Sequence, residues 1–255
     1  MASRADERSC SRELDDDALA KLANAVAELN PQPRERRWVS LSFAITDAVW
    51  SIGADYDAVV VPLVRKKLAA KFGVDLPTMP ATDPIGDDPV PVTLLTEMSV
   101  EELTALTNRQ RTSTRGGIMK ADAVLRYARI FTDHGVTTMR DAIELFDDTP
   151  RFDAIDSALR QVPGEGGDGV RRGYLWMIIG KDDLIKPDRM VLRWLDHQGV
   201  TADPSRARRI VEQLISEVTR KLGRAVSAWE IDHAMWNAGR ALKQRRGRRA
   251  SRGAT

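Results

Sequence analysis

Apolar residues recur at helical spacing along nearly the whole chain. Leu14, Ala18, Leu22, Ala25 and Leu29 fall three or four positions apart on one stripe, and Asn30-Pro31-Gln32-Pro33 ends that pattern. The next run, RRWVSLSFAITDAVWSIG over 36–53, is apolar enough for a core helix. ADYDAVVVPLVRKKLAAKFG over 54–73 predicts a further helix, bent at Pro62 and closed by Gly73 with lysines in its last turns. Residues 74–93 hold Pro77, Pro80, Pro84, Pro89 and Pro91, which remove too many backbone donors for a helix or an interior strand, so this stretch reads as a loop.

Shorter helical units follow. Ser99 and Glu102 form a capping box at the head of one. Others are expected over 116–135, 137–146, 151–162, 170–180 and 187–198, with a final pair near 204–222 and 226–243. Alternation with the period of a strand is missing, and Val59 to Val61 sit inside a helical pattern. The expected class is all-α.

Composition adds a partner to this picture. The 255 residues are 42% apolar and 30% charged with a formal net charge of +2, which suits a globular protein but conceals an asymmetry. The segment GRALKQRRGRRASRGAT carries Arg240, Lys243, Arg245, Arg246, Arg248, Arg249 and Arg252 without an acid, whereas ELDDDALAKLANAVAEL near the start is acidic. A basic tail favours a polyanion through counterion release; a solubilising, disordered end is the alternative. The lone Cys10 allows neither a disulfide within the chain nor a thiolate cluster, and no apolar run reaches the ~20 residues of a membrane span or the core of a signal peptide. A reducing, cytoplasmic setting without a membrane is expected. The domain order expected is an N-terminal helix and polar segment over 1–35, a main domain over 36–243 and a basic tail over 244–255.

The densest chemistry lies in LRQVPGEGGDGVRRGYLWMIIG, residues 159–180. Pro163 and Gly164 begin a turn, and Gly166, Gly167 and Gly169 permit positive φ. The helix that follows starts with amide groups lacking internal partners, an arrangement that attracts a phosphate, with Arg171 and Arg172 as reinforcement. Neither a Walker Lys-Ser/Thr pair nor a preceding strand is present, which argues against a nucleotide cofactor. A tight interhelical turn is the plainer reading. After Gly180 comes KDDLIKPDRMVLRWLDHQG, with Pro187 at a helix start and Asp188 in its first turn. There an acid is favoured by the dipole by ~0.3–1 kcal/mol without any chemistry.

A helix, a Gly-rich hairpin, a second helix and an aspartate at the head of a third resemble the helix-hairpin-helix DNA glycosylase superfamily, the fold of endonuclease III and of the adenine and alkyl-base glycosylases. VPGEG at 162–166 is similar to that family's Leu-Pro-Gly-Val-Gly hairpin. KPDRMVLRWL is similar to its Val-Asp-Thr-His-Val-x-Arg-Val pattern, with Asp188 at the catalytic aspartate and Arg193 near the helix arginine. Segments 39–68, 115–131 and 229–240 look like its early helix pair, the segment before its long helix and its closing helix.

The resemblance implies two helical lobes, DNA as partner, and hydrolysis of the N-glycosidic bond of a flipped, modified base, with Asp188 stabilising a cationic sugar. It implies that Gly164, Gly166, Gly167, Gly169, Arg171 and Arg172 hold a backbone phosphate. The loop NRQRTSTRGGIMK, with Arg109, Arg111, Arg115 and Lys120, offers a second basic contact, and Trp50 and Tyr56 are candidates for the base pocket, the alternative being that they fill the core. Asp182 and Asp183 are the nearest substitutes for Asp188.

Three departures narrow the expected activity. Gly169 stands where bifunctional members carry a Schiff-base lysine, no four-cysteine cluster follows the last helix, and Gly53 falls near a family glutamine that fills the gap left by the flipped base. A monofunctional enzyme with no cofactor and no iron–sulfur cluster is expected. His134, His197 and His233 lack metal-ligand spacing, so no metal is expected either. A non-catalytic DNA-binding protein that keeps the fold is the alternative, and a helical scaffold is a third.

Overall fold

In the computed structural model, residues 14–252 are described in backbone and residues up to 242 in side chain. Cys10 and the side chains of the basic run from Lys243 onward lie outside the described residues. The chain divides into two compact units, Arg34–Lys181 and the described part of Met1–Pro33 with Asp182–Thr255.

The unit Arg34–Lys181 contains a feature that the helical periodicity hides. β1 (Arg36–Trp38) pairs antiparallel with β2 (Thr78–Pro80), Arg37 opposite Met79, where a helix and a loop were expected. Ser40 explains the late helix start: its backbone is extended (φ −139°, ψ 140°), and its Oγ accepts the Ser42 N–H at 3.1 Å. Thus α2 runs only from Leu41 to Ser51, and it is preceded in the chain by α1 (Asp16–Glu28) of the other unit. Every residue from Leu41 to Trp50 is buried, as an apolar run without a polar face requires.

Residues 56–71 are helical as expected, but with widened turns over Tyr56–Val60 and Leu63–Leu68 on either side of Pro62. A proline has no N–H to give to the ladder, and the wider i→i+5 register accommodates it. Beyond β2, α3 (Val92–Thr96) and α4 (Val100–Leu106) follow, the latter with the expected capping box: Ser99 Oγ accepts the Glu102 N–H at 3.1 Å and Glu102 accepts the Ser99 N–H at 2.8 Å. Then come α5 (Lys120–Asp133), α6 (Met139–Glu144), α7 (Thr149–Arg160) and α8 (Val170–Ile179). Helix α2 packs against α5 and α8. Trp176 of α8 fills the space between Phe131, 5.7 Å away, and Phe152, 4.7 Å away between ring centroids.

In the other unit, α1 packs on α10 (Pro204–Leu222), and α9 (Arg189–His197) packs on α11 (Ala228–Arg252). Leu22, Ala23 and Val26 bury the α1 stripe in one core with Ile210, Leu214, Ile231 and Met235. The N-terminal helix therefore belongs with the C-terminal helices, and residues 36–243 do not form one domain. Gly239 sets the approach of α11 to α9, since a Cβ there would lie 2.1 Å from the Met190 carbonyl oxygen. Among the described residues, no helix is long and apolar enough to cross a membrane.

Candidate functional site

The Gly-rich turn connects α7 to α8 and folds its only glutamate inward. Gly164 takes φ 86°, and a Cβ on it would meet Thr112 Oγ1 at 2.2 Å, so glycine is required for this approach. Gly166, Gly167 and Asp168 form an exposed tip, and Gly169, left-handed at φ 61°, begins α8 without a side-chain cap.

Glu165 occupies the place that sequence reasoning reserved for a phosphate. Its side chain is 2% exposed and accepts the Arg172 N–H at 2.9 Å, within the first turn of α8. Arg171 Nη1 lies 3.3 Å and Arg172 Nε 3.6 Å from its carboxylate, and the Tyr127 hydroxyl donates to it. Burial pushes the Glu165 carboxyl above its ordinary value, while Tyr127, Arg171 and Arg172 pull the other way. Burial likewise raises the Tyr127 phenol, with the Glu165 charge adding to it.

This corrects the expected role of both arginines. Arg171 is 1% exposed and also donates to the Thr112 carbonyl at 3.2 Å; Arg172 is 7% exposed and donates to Asp156 Oδ2 at 2.8 Å. They brace the turn from inside, because a buried carboxylate needs paired cations and donors more than an exposed phosphate would. In the Leu-Pro-Gly-Val-Gly pattern an apolar residue stands where this chain has Glu165. That acid within a run of glycines, followed six and seven positions later by arginines, was the overlooked signal.

The basic loop is physically joined to this turn. Arg111 bridges Met119, and the Thr112 N–H donates to the Ile118 carbonyl at 2.9 Å, so residues 111–119 close on themselves. Thr112 Oγ1 then donates to the Pro163 carbonyl at 2.9 Å. Arg109, Arg111 and Arg115 are exposed on the loop so fastened.

Lys120 is not among those exposed cations. It is 2% exposed, and its ammonium donates to the Trp50 carbonyl at 2.9 Å, the Ile52 carbonyl at 2.8 Å and Gln110 Oε1 at 3.1 Å. It satisfies carbonyls at the C-terminal end of α2, where a cation is favoured. Trp50 is fully buried with its Nε1–H on Asn108 Oδ1 at 3.2 Å, which makes it a core residue and not a stacking surface. The half-buried Tyr56 donates its hydroxyl to Asp47 Oδ2 at 3.1 Å. Asp47, 1% exposed, also receives Trp38 Nε1–H at 2.9 Å and the Tyr174 hydroxyl at 3.3 Å. Burial, and then the Asp47 charge, raise the phenols of Tyr56 and Tyr174. Asp47 was legible only as an acid inside the apolar run FAITDAVW.

In the other unit, Asp188 is the N-cap of α9. Its Oδ1 accepts the Met190 N–H at 2.7 Å and the Val191 N–H at 3.4 Å, and its Oδ2 accepts Trp236 Nε1–H at 3.2 Å. Trp236 belongs to a stack along α11: Trp229 and His233 lie 4.8 Å apart at 10°, His233 and Trp236 6.2 Å apart at 15°, and Arg240 sits 4.5 Å from the Trp236 centroid. The two tryptophans, expected to pack the last helix on the core, are half-buried, and His233 is exposed. Asp232, which sequence reasoning passed over, is 5% exposed and accepts the Lys186 N–H at 2.9 Å. Arg193 is half-buried, with Nη1 3.1 Å from Met190 Sδ, while Asp182 and Asp183 are exposed. Among the described residues, no group of three or more His, Cys, Asp or Glu side chains could hold a metal ion.

These features define an all-α protein with a Gly-rich interhelical turn fastened to a basic loop, and with an aspartate fixed at the head of a later helix. The chain belongs to the family described as Domain of unknown function (DUF8548), whose model matches residues 17–240. The search of curated proteins gave no match.

Proposed function

We propose that the protein binds DNA in the manner of the base-excision DNA glycosylases and hydrolyses the N-glycosidic bond of a flipped, modified base. The observation that carries this reading is the Thr112–Pro163 hydrogen bond, which ties the exposed arginines 109, 111 and 115 to the exposed glycine tip. Arginines beside free backbone at a turn suit a phosphate backbone, gripping it without reading sequence. The helix-hairpin-helix assignment of residues 149–179 belongs to the same reading.

The chemistry falls to Asp188. The glycosidic bond is inaccessible within a stacked duplex, so the base must leave the stack first. As the bond from C1′ to the base nitrogen breaks, positive charge builds on the sugar; a carboxylate beside it lowers that barrier, and water adds its oxygen to C1′. Asp188 is held in one orientation by the α9 amides and the Trp236 indole.

A specific observation favours a second reading, a non-catalytic DNA-binding protein. Both Asp188 oxygens already accept hydrogen bonds, and neither Trp50, in the core, nor Tyr56, bound to Asp47, offers a free ring for a base.

Duplexes carrying uracil, alkylated, oxidised or mismatched bases, assayed for abasic sites with wild type and Asp188→Asn, separate the two. Excision by wild type alone supports the enzyme; equal product from both removes Asp188 from the reaction. Binding is tested with Gly167→Glu, since Gly167 is exposed and a Cβ there meets nothing within 4 Å. A folded variant with unchanged affinity for DNA at every salt concentration would remove the turn from the interface. No product on any substrate together with salt-dependent, Gly167-sensitive binding selects the binding protein.

A further inference from the structure

Asp188 and Asp232 bracket the short segment that leads into α9. Asp232 Oδ1 accepts the Lys186 N–H at 2.9 Å, and the Lys186 carbonyl accepts the Asp188 N–H at 2.6 Å. Asp188 Oδ2 then accepts the Trp236 indole N–H at 3.2 Å, and Trp236 stands one helical turn beyond Asp232 on α11. The two acids therefore sit on one closed ring of contacts, 232 to 186 to 188 to 236.

Their surroundings differ. Asp188 is half-buried at a helix N-terminus with three N–H donors, a setting that favours an anion. Asp232 is buried, and one amide donor is a small return for losing water. The charged groups that bear on it are Asp188, which opposes its ionisation, and Lys186, which favours it. Burial first and Asp188 second push the Asp232 carboxyl well above its usual range, against the Lys186 amide and ammonium. Two neighbouring carboxylates with one better solvated than the other take up a proton at the less solvated one.

We propose that Asp188 and Asp232 form one proton-sharing acid pair in which Asp232 holds the proton and the loop, leaving Asp188 as the single negative charge at the head of α9. Asp232 is thus a positioning residue, and its role stands apart from the nucleic-acid reading because it concerns the charge of the site whatever the site binds. A neutral Asp232 keeps its grip on the Lys186 amide through its carbonyl oxygen. An ionised one would place a second charge behind Asp188 and weaken the loop.

Carboxyl-detected NMR titration of the full chain tests this in wild type, Asp232→Asn and Asp188→Asn. In wild type, one aspartate is expected to titrate well above the ordinary carboxylate range. That resonance is absent from Asp232→Asn and moves to lower pH in Asp188→Asn, which retains the N-cap. The Trp236 indole N–H resonance is expected to shift through the same pH range in wild type and to stay flat in Asp232→Asn, a readout that loss of a mere structural contact does not produce. Ordinary titration of every aspartate, or a raised one indifferent to Asp188→Asn, overturns the proposal. Should Asp232→Asn fail to fold, the Asp188→Asn comparison decides by itself.

Discussion

The Trp236 indole donates to Asp188 Oδ2 at 3.2 Å, joining positions 48 residues apart and fixing the aspartate that heads α9. Trp236→Phe keeps most of the ring packing and removes the N–H. A loss of about 1–2 kcal/mol is expected, the range for a hydrogen bond to a charged group. Asp188→Asn is expected to remain within about 0.5 kcal/mol of wild type, because Asn caps a helix as well as Asp does. Urea unfolding midpoints measure both, and a large loss for Asp188→Asn would show that its charge, not its cap, stabilises the fold.

Glu165 anchors the Gly-rich turn, with its side chain 2% exposed and Arg171 at 1%. Glu165→Ala leaves both arginines buried without their carboxylate, at a cost of about 3–5 kcal/mol. Replacing the Glu165–Arg171 pair together, by Leu and Met, is expected to restore most of that loss, since apolar residues of similar volume avoid the desolvation of two charges. Denaturant titration of the single and double variants checks this. Equal losses would mean that the turn needs the charge itself.

Gly239 separates helix propensity from packing. Propensity alone favours Ala over Gly inside a helix by about 0.8–1.0 kcal/mol. A Cβ at this position lies 2.1 Å from the Met190 backbone oxygen, so α11 must move away from α9. Gly239→Ala is therefore expected to destabilise by about 1–3 kcal/mol, the usual range for overpacking. A rise in melting temperature would contradict the close approach.

Asp232 gives the fold a pH dependence of known sign. Its carboxyl is raised on folding, so the native state binds a proton that the unfolded chain releases. The associated stability is fully present below the unfolded value of 3.8 and is lost as pH climbs from there through the raised native value. Asp232→Asn is expected to flatten that decline and to match or exceed wild type at its upper end. Unfolding free energies measured across the range, with a slope unchanged by the substitution, would assign the dependence to another group. Glu165, also raised by burial, contributes a slope of the same sign that the Asp232 variant retains.

The helices were largely legible because their cause is local. A stripe such as Leu22 and Val26, a cap such as Ser99 with Glu102, and a stop such as Gly73 each act within a few residues. The strand pair was not legible: Arg36–Trp38 and Thr78–Pro80 define each other across some forty positions, and neither segment alternates in polarity. The candidate site divides the same way. The exposed glycine tip and Arg115 lie where the sequence placed them, whereas Arg171, Arg172, Lys120 and Trp50 are interior. A sequence shows that a residue is charged or aromatic, but its availability depends on what folds against it.

The sequence by itself determined an all-α chain, its helix starts and stops, a glycine turn between two helices and an aspartate at the head of a third. Periodicity, capping and φ preference are short-range, and they need no knowledge of the rest of the chain. Only the tertiary structure decided that Glu165 fills the anion position at α8, that Thr112 binds the basic loop to the turn, and that Asp232 and Trp236 close around Asp188. Those relationships depend on desolvation and on partners 48 to 51 positions away for Thr112 and Trp236, which no local pattern encodes.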